Sequence, residues 1–316
     1  MAQPFLTRKY LLLAKVEGTY GVDAVPVAAT NAILVSNLKI KPDQEVIDRK
    51  DVALPSLSKI PHLIGRRWVE ITFDVELRGS GGSGATPPDF GALFRGCAML
   101  ETVEADPGGY VTYGPVSENL ESVTIYAWRD AHLHKCVGCV GSWKWAGEVG
   151  KPAKFSFTFK GKLASIIDQA LGVPTYQNLK PPLMLGATAT YGGWVAPIKK
   201  VELDLKNKVT ERPDVHEETG IIGFFVSDRE PEGKLDPEAN TLATRDVWTN
   251  LWAVNEAALE LVIGSGAGNQ CTITAPRCAK KKVEEGNRDG IATYDLDIGL
   301  YQSSDNGDDE LLLKFE

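Results

Sequence analysis

From Trp68 to Arg78 the chain alternates strictly, with Val69, Ile71, Phe73, Val75 and Leu77 on one side and Glu70, Thr72, Asp74, Glu76 and Arg78 on the other. This period predicts a strand of an antiparallel sheet with one dry face and one wet, largely acidic face. Lys154–Lys162 repeats the pattern, Phe155, Phe157 and Phe159 opposing Lys154, Ser156, Thr158 and Lys160. Apolar runs at Tyr10–Val16, Tyr110–Tyr113, Glu121–Trp128 and Lys135–Trp145 predict further strands, and Val35–Asp48 a weaker one broken at Pro42. After the flexible Gly79–Ala85 stretch, Asp89 is the expected N-cap of a short helix whose Phe90, Leu93, Phe94 and Cys97 share one face. Two segments lack any period. Val22–Asn31 reads as an extended arm in which Pro26 has no amide to give a ladder. Asp48–Leu63 carries Pro55 and Pro61, and its apolar side chains would be out of place in a free loop. Pro26, Leu54, Leu57, Ile60 and Leu63 are therefore the candidate contacts to a neighbouring molecule.

The second half retells the first. Lys199–Pro213 parallels Asn37–Pro42 with Glu45–Arg49, and Gly220–Arg229 takes the place of the alternating strand. Asp246–Val254 takes the place of the Asp89 helix, again with a capping Asp. Ala258–Ile263, Gln270–Thr274 and Ile291–Tyr301 repeat the closing strands, and Leu311–Phe315 reads as a final one. The expected organisation is mainly β: two tandem antiparallel β-sandwich or partial-barrel domains, each flanked by a short α-helix. The first spans 1–165 with its N-terminal arm, the second 195–316, and a Pro- and Gly-broken linker covers 166–194.

Composition narrows the function. The chain has 316 residues and a net charge of −8, so its surface as a whole should repel nucleic-acid phosphates. Neither a tripartite leader nor an apolar run of membrane-spanning length is expected. Five cysteines, an odd count, favour reduced thiols over a disulfide framework. His132, His134, Cys136 and Cys139 have the residue types of a zinc site, but Cys139 falls on the opposite strand face unless Gly138 bulges, and no second ligand cluster follows. Gly264–Gly268 lacks the Lys-Ser/Thr of a phosphate loop and reads as a hairpin turn. Lys280–Lys282 reads as a solvated loop or an interface contact, and Asp305–Glu310 lacks calcium-loop spacing. No catalytic constellation, metal or cofactor is expected. A carbohydrate-binding sandwich is the alternative, since the tryptophans could be stacking platforms. Trp143 with Trp145, and Trp248 with Trp252, nonetheless stand at core spacing.

Lys15–Pro26, Thr30–Leu38 and Asn306–Phe315 resemble the corresponding stretches of the major tail protein, or tail tube protein, of long non-contractile-tailed bacteriophages and prophages. The resemblance implies sandwich units that close into rings, rings that stack into a tube, and genomic double-stranded DNA passing through without specific binding. It implies as partners other copies of the chain, the tape measure protein, and the tail terminator and distal tail proteins, with assembly in the host cytoplasm and a place in the virion tail. Single-unit members form hexamers, so a doubled unit implies three chains per pseudo-hexameric ring. The expected lumen-lining residues are Glu70, Asp74 and Glu76, with Glu202 and Asp204 from the second unit.

Overall fold

The computed structural model describes residues 5–316 except 54, 83–84 and 106–107. The first half runs β1 (Tyr10–Val16), α1 (Ala28–Asn31), β2 (Ala32–Ile33), β3 (Ser36–Ile47), β4 (Leu63–Glu76), α2 (Gly91–Arg95), β5 (Met99–Glu104), β6 (Tyr110–Pro115), β7 (Val123–Arg129), β8 (His132–Glu148) and β9 (Lys154–Asp168). The second runs β10 (Thr188–Tyr191), β11 (Ile198–Asp204), β12 (Asn207–Pro213), β13 (Ile221–Arg229), β14 (Glu232–Pro237), α3 (Val247–Trp252), β15 (Glu256–Ile263), β16 (Cys271–Arg288), β17 (Ile291–Tyr301) and β18 (Leu312–Phe315). The protein is mainly β, its strands antiparallel and its sheets not closed into a barrel, with three short helices among the described residues.

The alternation in β4 is realised in full. Val69, Ile71, Phe73 and Val75 are buried, and they lie opposite Gly161, Phe159, Phe157 and Phe155 of β9, which lie in turn opposite β8 with its buried Trp143 and Trp145. Phe94 of α2 drops into this aromatic layer, 5.0 Å from the Phe155 ring and 4.8 Å from Tyr113. Burying one such ring contributes on the order of 2–3 kcal/mol, which is why five-residue α2 is held although a helix that short has no stability of its own.

The two halves trace the same path. Neighbour by neighbour, β1-β7-β8-β9-β4-β3 in the first corresponds to β10-β15-β16-β17-β14-β11 in the second. Each helix falls between the same two strands of the path, and each is closed by a residue in the left-handed region, Ala98 and Val254. The long hairpin β3–β4 corresponds to β11–β12 running into β13–β14, broken at Leu205–Lys206 and Glu230–Pro231. β8 then pairs with β11, so the halves share one sheet and one core, and β18 joins them again between β16 and β6.

Several local expectations are corrected. β3 runs through Pro42 unbroken, because its partner lies on one side only and an edge strand tolerates a missing amide. Asp89 does not cap α2: its carboxylate lies 2.6 Å from the guanidinium of Arg78, which is 2% exposed and would otherwise be a buried, unpaired charge. Asp246 does cap α3, accepting from the amides of Trp248 and Thr249. Val22–Asn31 ends in the short α1 rather than remaining extended. Lys280–Lys282 is no loop; it lies inside β16, with Lys280 buried and its Nζ 4.9 Å from the Tyr191 ring centroid, so burial pushes its ammonium down to about 8. Trp252 leaves the core although Trp248 packs against it, and stands 74% exposed at the end of α3.

Candidate functional site

The opposite face of the sheet is polar across the junction of the halves, except at one end, where Val140 and Trp68 are covered by Ile221 and Phe224 of β12–β13. In spatial order β3-β4-β9-β8-β11-β14-β17-β16, eight antiparallel strands stand side by side. The five expected lining residues all lie on this one face. Glu70 is opposite Lys160, Asp74 opposite Ser156 and Glu76 opposite Lys154. Glu202 and Asp204 continue the row, Asp204 opposite Lys144 of β8 with Nζ and Oδ2 2.9 Å apart across the junction of the halves. β14, β17 and β16 add Glu232, Lys234, Asp297, Asp295, Lys282 and Glu284.

The sequence put the carboxylates of β4 on one polar face and Lys154 and Lys160 on another, but did not show that the wall sets carboxylates beside lysines. These arrive from strands that only tertiary pairing brings alongside β4, so the wall is of mixed sign, with carboxylates outnumbering ammonium groups and in two places, Asp204 with Glu232 and Glu284 with Asp295, standing opposite one another. Much of it is paired: Lys234 with Asp297 at 3.3 Å, Lys282 with Glu284 at 2.6 Å, and Lys281 with Glu232 at 2.7 Å. Asp74 accepts from Asn37 at 2.7 Å and from Ser156 at 2.6 Å, which fixes the carboxylate at the wall rather than letting it swing.

Both ends of the sheet are open. Among the described residues β3 pairs with β4 alone, and β16 has no partner on its outer edge beyond Ala279, where β15 departs. Unused rows of amides and carbonyls of this kind are templates for another strand.

The contact candidates divide. Leu57 and Leu63 are fully and half exposed, Ile60 is partly buried, and Leu54 lies outside the described residues. Pro26 is buried in its own chain, which leaves Val22, Val25 and Val27 as the open apolar part of that arm. The arm is pinned by Glu17, whose carboxylate accepts from Ser122 Oγ at 2.5 Å, Thr124 Oγ1 at 2.8 Å and the amides of Gly21 at 2.7 Å and Gly138 at 2.8 Å. Tyr20 follows it into the second half, accepting from the Phe224 amide at 2.6 Å. A Cβ on Gly223 would collide with that hydroxyl and its ring, so glycine is the residue that admits it.

Gly138 does bulge, at φ +60°, and it turns both Cys136 and Cys139 into the core. Burial pushes the Cys136 thiol up to about 12 and Cys139 well above the usual range, as for thiols packed in a core. His132 instead meets Asp168 at 3.1 Å on the surface. Among the described residues no three His, Cys, Asp or Glu side chains converge as metal ligands. No helix among them is long and apolar enough to cross a membrane. Trp143 and Trp145 are buried and cannot serve as sugar-stacking platforms.

Compared with known proteins, the chain matches the family model described as phage tail tube protein over residues 7–300. No curated protein matches it.

Proposed function

The chain belongs to the phage tail tube protein family, and from that premise we propose that it is the structural protomer of a tail tube, closing into rings that stack around a DNA conduit. The observation that supports this is the eight-strand sheet whose polar face crosses from one half to the other at β8–β11 and whose two edge strands have free outer edges among the described residues. We read the halves as duplicated units, the first ending with β9 and the second opening with β10, which makes each chain two sixths of a ring.

Three chains per ring is the copy number we propose. At about 4.8 Å per strand and about 45° tilt, two chains would give a backbone diameter of about 35 Å and, after about 6 Å of side chain on each side, a bore of about 23 Å. Three chains give about 50 Å and a bore of about 40 Å, which clears a duplex of about 20 Å with its hydration. With Glu70, Asp74, Glu76, Glu202 and Asp204 toward the bore, the wall turns an excess of carboxylates to the phosphates, and several of its lysines, among them Lys144, Lys234 and Lys282, are held in ion pairs. Such a wall neither collects DNA nor pays out a strong counterion-release gain on contact.

The other copies, tape measure, terminator and distal tail proteins would meet the chain at ring faces and tube ends. The Pro55–Pro61 loop and the Val22–Asn31 arm are the segments proposed for contacts within and between rings. Electron microscopy of purified protein tests the proposal: tubes or rings of even width are expected, and dispersed monomers at high concentration would oppose it.

A further inference from the structure

Building on the ring reading, we propose that the seam between β8 and β11 inside the chain is the template for the seam between chains: the outer edge of β16 pairs antiparallel with β3 of the next copy, Lys41 standing opposite Glu284. The matched strand order makes β16 the counterpart of β8 and β3 the counterpart of β11. β8 and β11 are joined; their counterparts are the two open edges. Strand direction also agrees, since β16 runs against β3 as β8 runs against β11 once eight antiparallel strands separate them.

Ladder partners fix the register. Lys41 lies opposite Glu70 on β4 as Asp204 lies opposite Glu232 on β14. Following the partners outward, Glu70 to Lys160 and Glu232 to Gly299, then across to β8 and β16, makes Lys144 the counterpart of Glu284 once the bulge at Lys281 is passed. Within the chain Asp204 pairs with Lys144 at 2.9 Å; between chains the same place holds Lys41 and Glu284, with the signs exchanged and the attraction kept. Both sit on the polar face.

A second observation points to the same surface. Inside the chain the β12–β13 hairpin continues past the seam and folds over the first half. Its Asn207 donates to the carbonyls of Cys97 and Gly141, and its Ile221 and Phe224 are buried against Val140. The C-terminal end of α2, beneath it, is buried at Ala98. In the second half the equivalent end of α3 is bare, Trp252 being 74% and Val254 62% exposed. The hairpin that would cover it, the tip of β3–β4, is bare as well, with Val46 and Leu63 about half exposed. A second copy of this chain supplies both missing halves, and bare tryptophan is covered as Ala98 is.

The test uses the full chain with Lys41→Cys and Glu284→Cys and a short bis-maleimide. The five native cysteines are buried and stay silent. The two new thiols stand at opposite edges of one chain, about 34 Å apart across seven strand spacings, so only neighbouring copies can be joined. The double variant is expected to give covalent species of two and three chains and none larger, each single variant none, and an equal mixture of the two single variants only two-chain species. Tubes or rings by microscopy without cross-linked chains would overturn the seam and leave the ring reading standing. Absence of any ring or tube from the unmodified chain would overturn the ring reading itself. Lys41→Glu and Glu284→Lys give a second readout: each alone is expected to lower the yield of rings severalfold and the pair together to restore it, and failure of the pair to restore it counts against the register.

Discussion

Replacing Glu70, Asp74 and Glu76 by lysine turns three wall positions of every chain from negative to positive, a change of about 18 unit charges in a ring of three. A phosphate about 10 Å from the wall feels each unit charge by about 0.4 kcal/mol in water, reduced to about 0.1 kcal/mol by a Debye length of about 8 Å at physiological salt. Summed, the wall moves by about 2 kcal/mol per ring toward holding DNA, and the effect recurs along every ring the genome passes. At 1 M salt, with a Debye length of about 3 Å, the same sum falls to about 0.3 kcal/mol. Genome release triggered in vitro and followed by a DNA-binding dye is therefore expected to slow strongly at physiological salt and to recover at high salt. The neutral variants Glu70→Gln, Asp74→Asn and Glu76→Gln should show about half the effect. Lysine at 70 and 76 would face Lys160 and Lys154 directly, costing up to about 1 kcal/mol at each pair, so thermal unfolding of the variant is measured alongside. Tubes of normal width that eject DNA at the unmodified rate, at any salt, would refute the placement of this face at the bore.

Further outcomes follow from single sites. Deleting Pro55–Pro61 should leave a folded chain, with unchanged circular dichroism, that sediments as small species; normal tubes would remove that loop from assembly. Asp89→Ala strands Arg78 in the core and should destabilise by about 3–5 kcal/mol in urea unfolding. Asp246→Ala removes only a cap and should lower the melting temperature by about 2 °C. Hydrogen bonding from Thr249 holds the Asp246 carboxyl below the usual range, so its stabilising contribution is present above the unfolded carboxyl's titration, is lost as pH falls through the folded one, and is absent in Asp246→Asn. The five thiols, pushed up by burial where they titrate, should react with a thiol reagent at pH 8 only after denaturant is added.

Much of this architecture was legible because period-two alternation is a local signal. β1, β4, β9, β17 and the buried faces of β8 and α2 stand where hydrophobic spacing puts them. What the sequence hid was set by tertiary pairing. β14 contains Gly233 and Pro237 and passes as a loop, yet it is clamped between β11 and β17. β16 runs on through Lys280–Lys282 because β17 holds it along that length, which local charge cannot reveal. The capping role of Asp89 looked as strong as that of Asp246. Only the fold shows that Arg78 is buried beside one of them and that nothing comparable competes for the other. Within the polar face, the carboxylates of β4 were visible in sequence, whereas their lysine neighbours come from β9, about 90 residues further along the chain.

The most direct test is a cryo-electron microscopy reconstruction of tubes assembled from the purified chain. The expected map shows three chains per ring around a bore of about 40 Å, with Glu70, Asp74 and Asp204 on its wall. A solid filament, or a tube whose bore is lined by the other side of the sheet, would contradict the account.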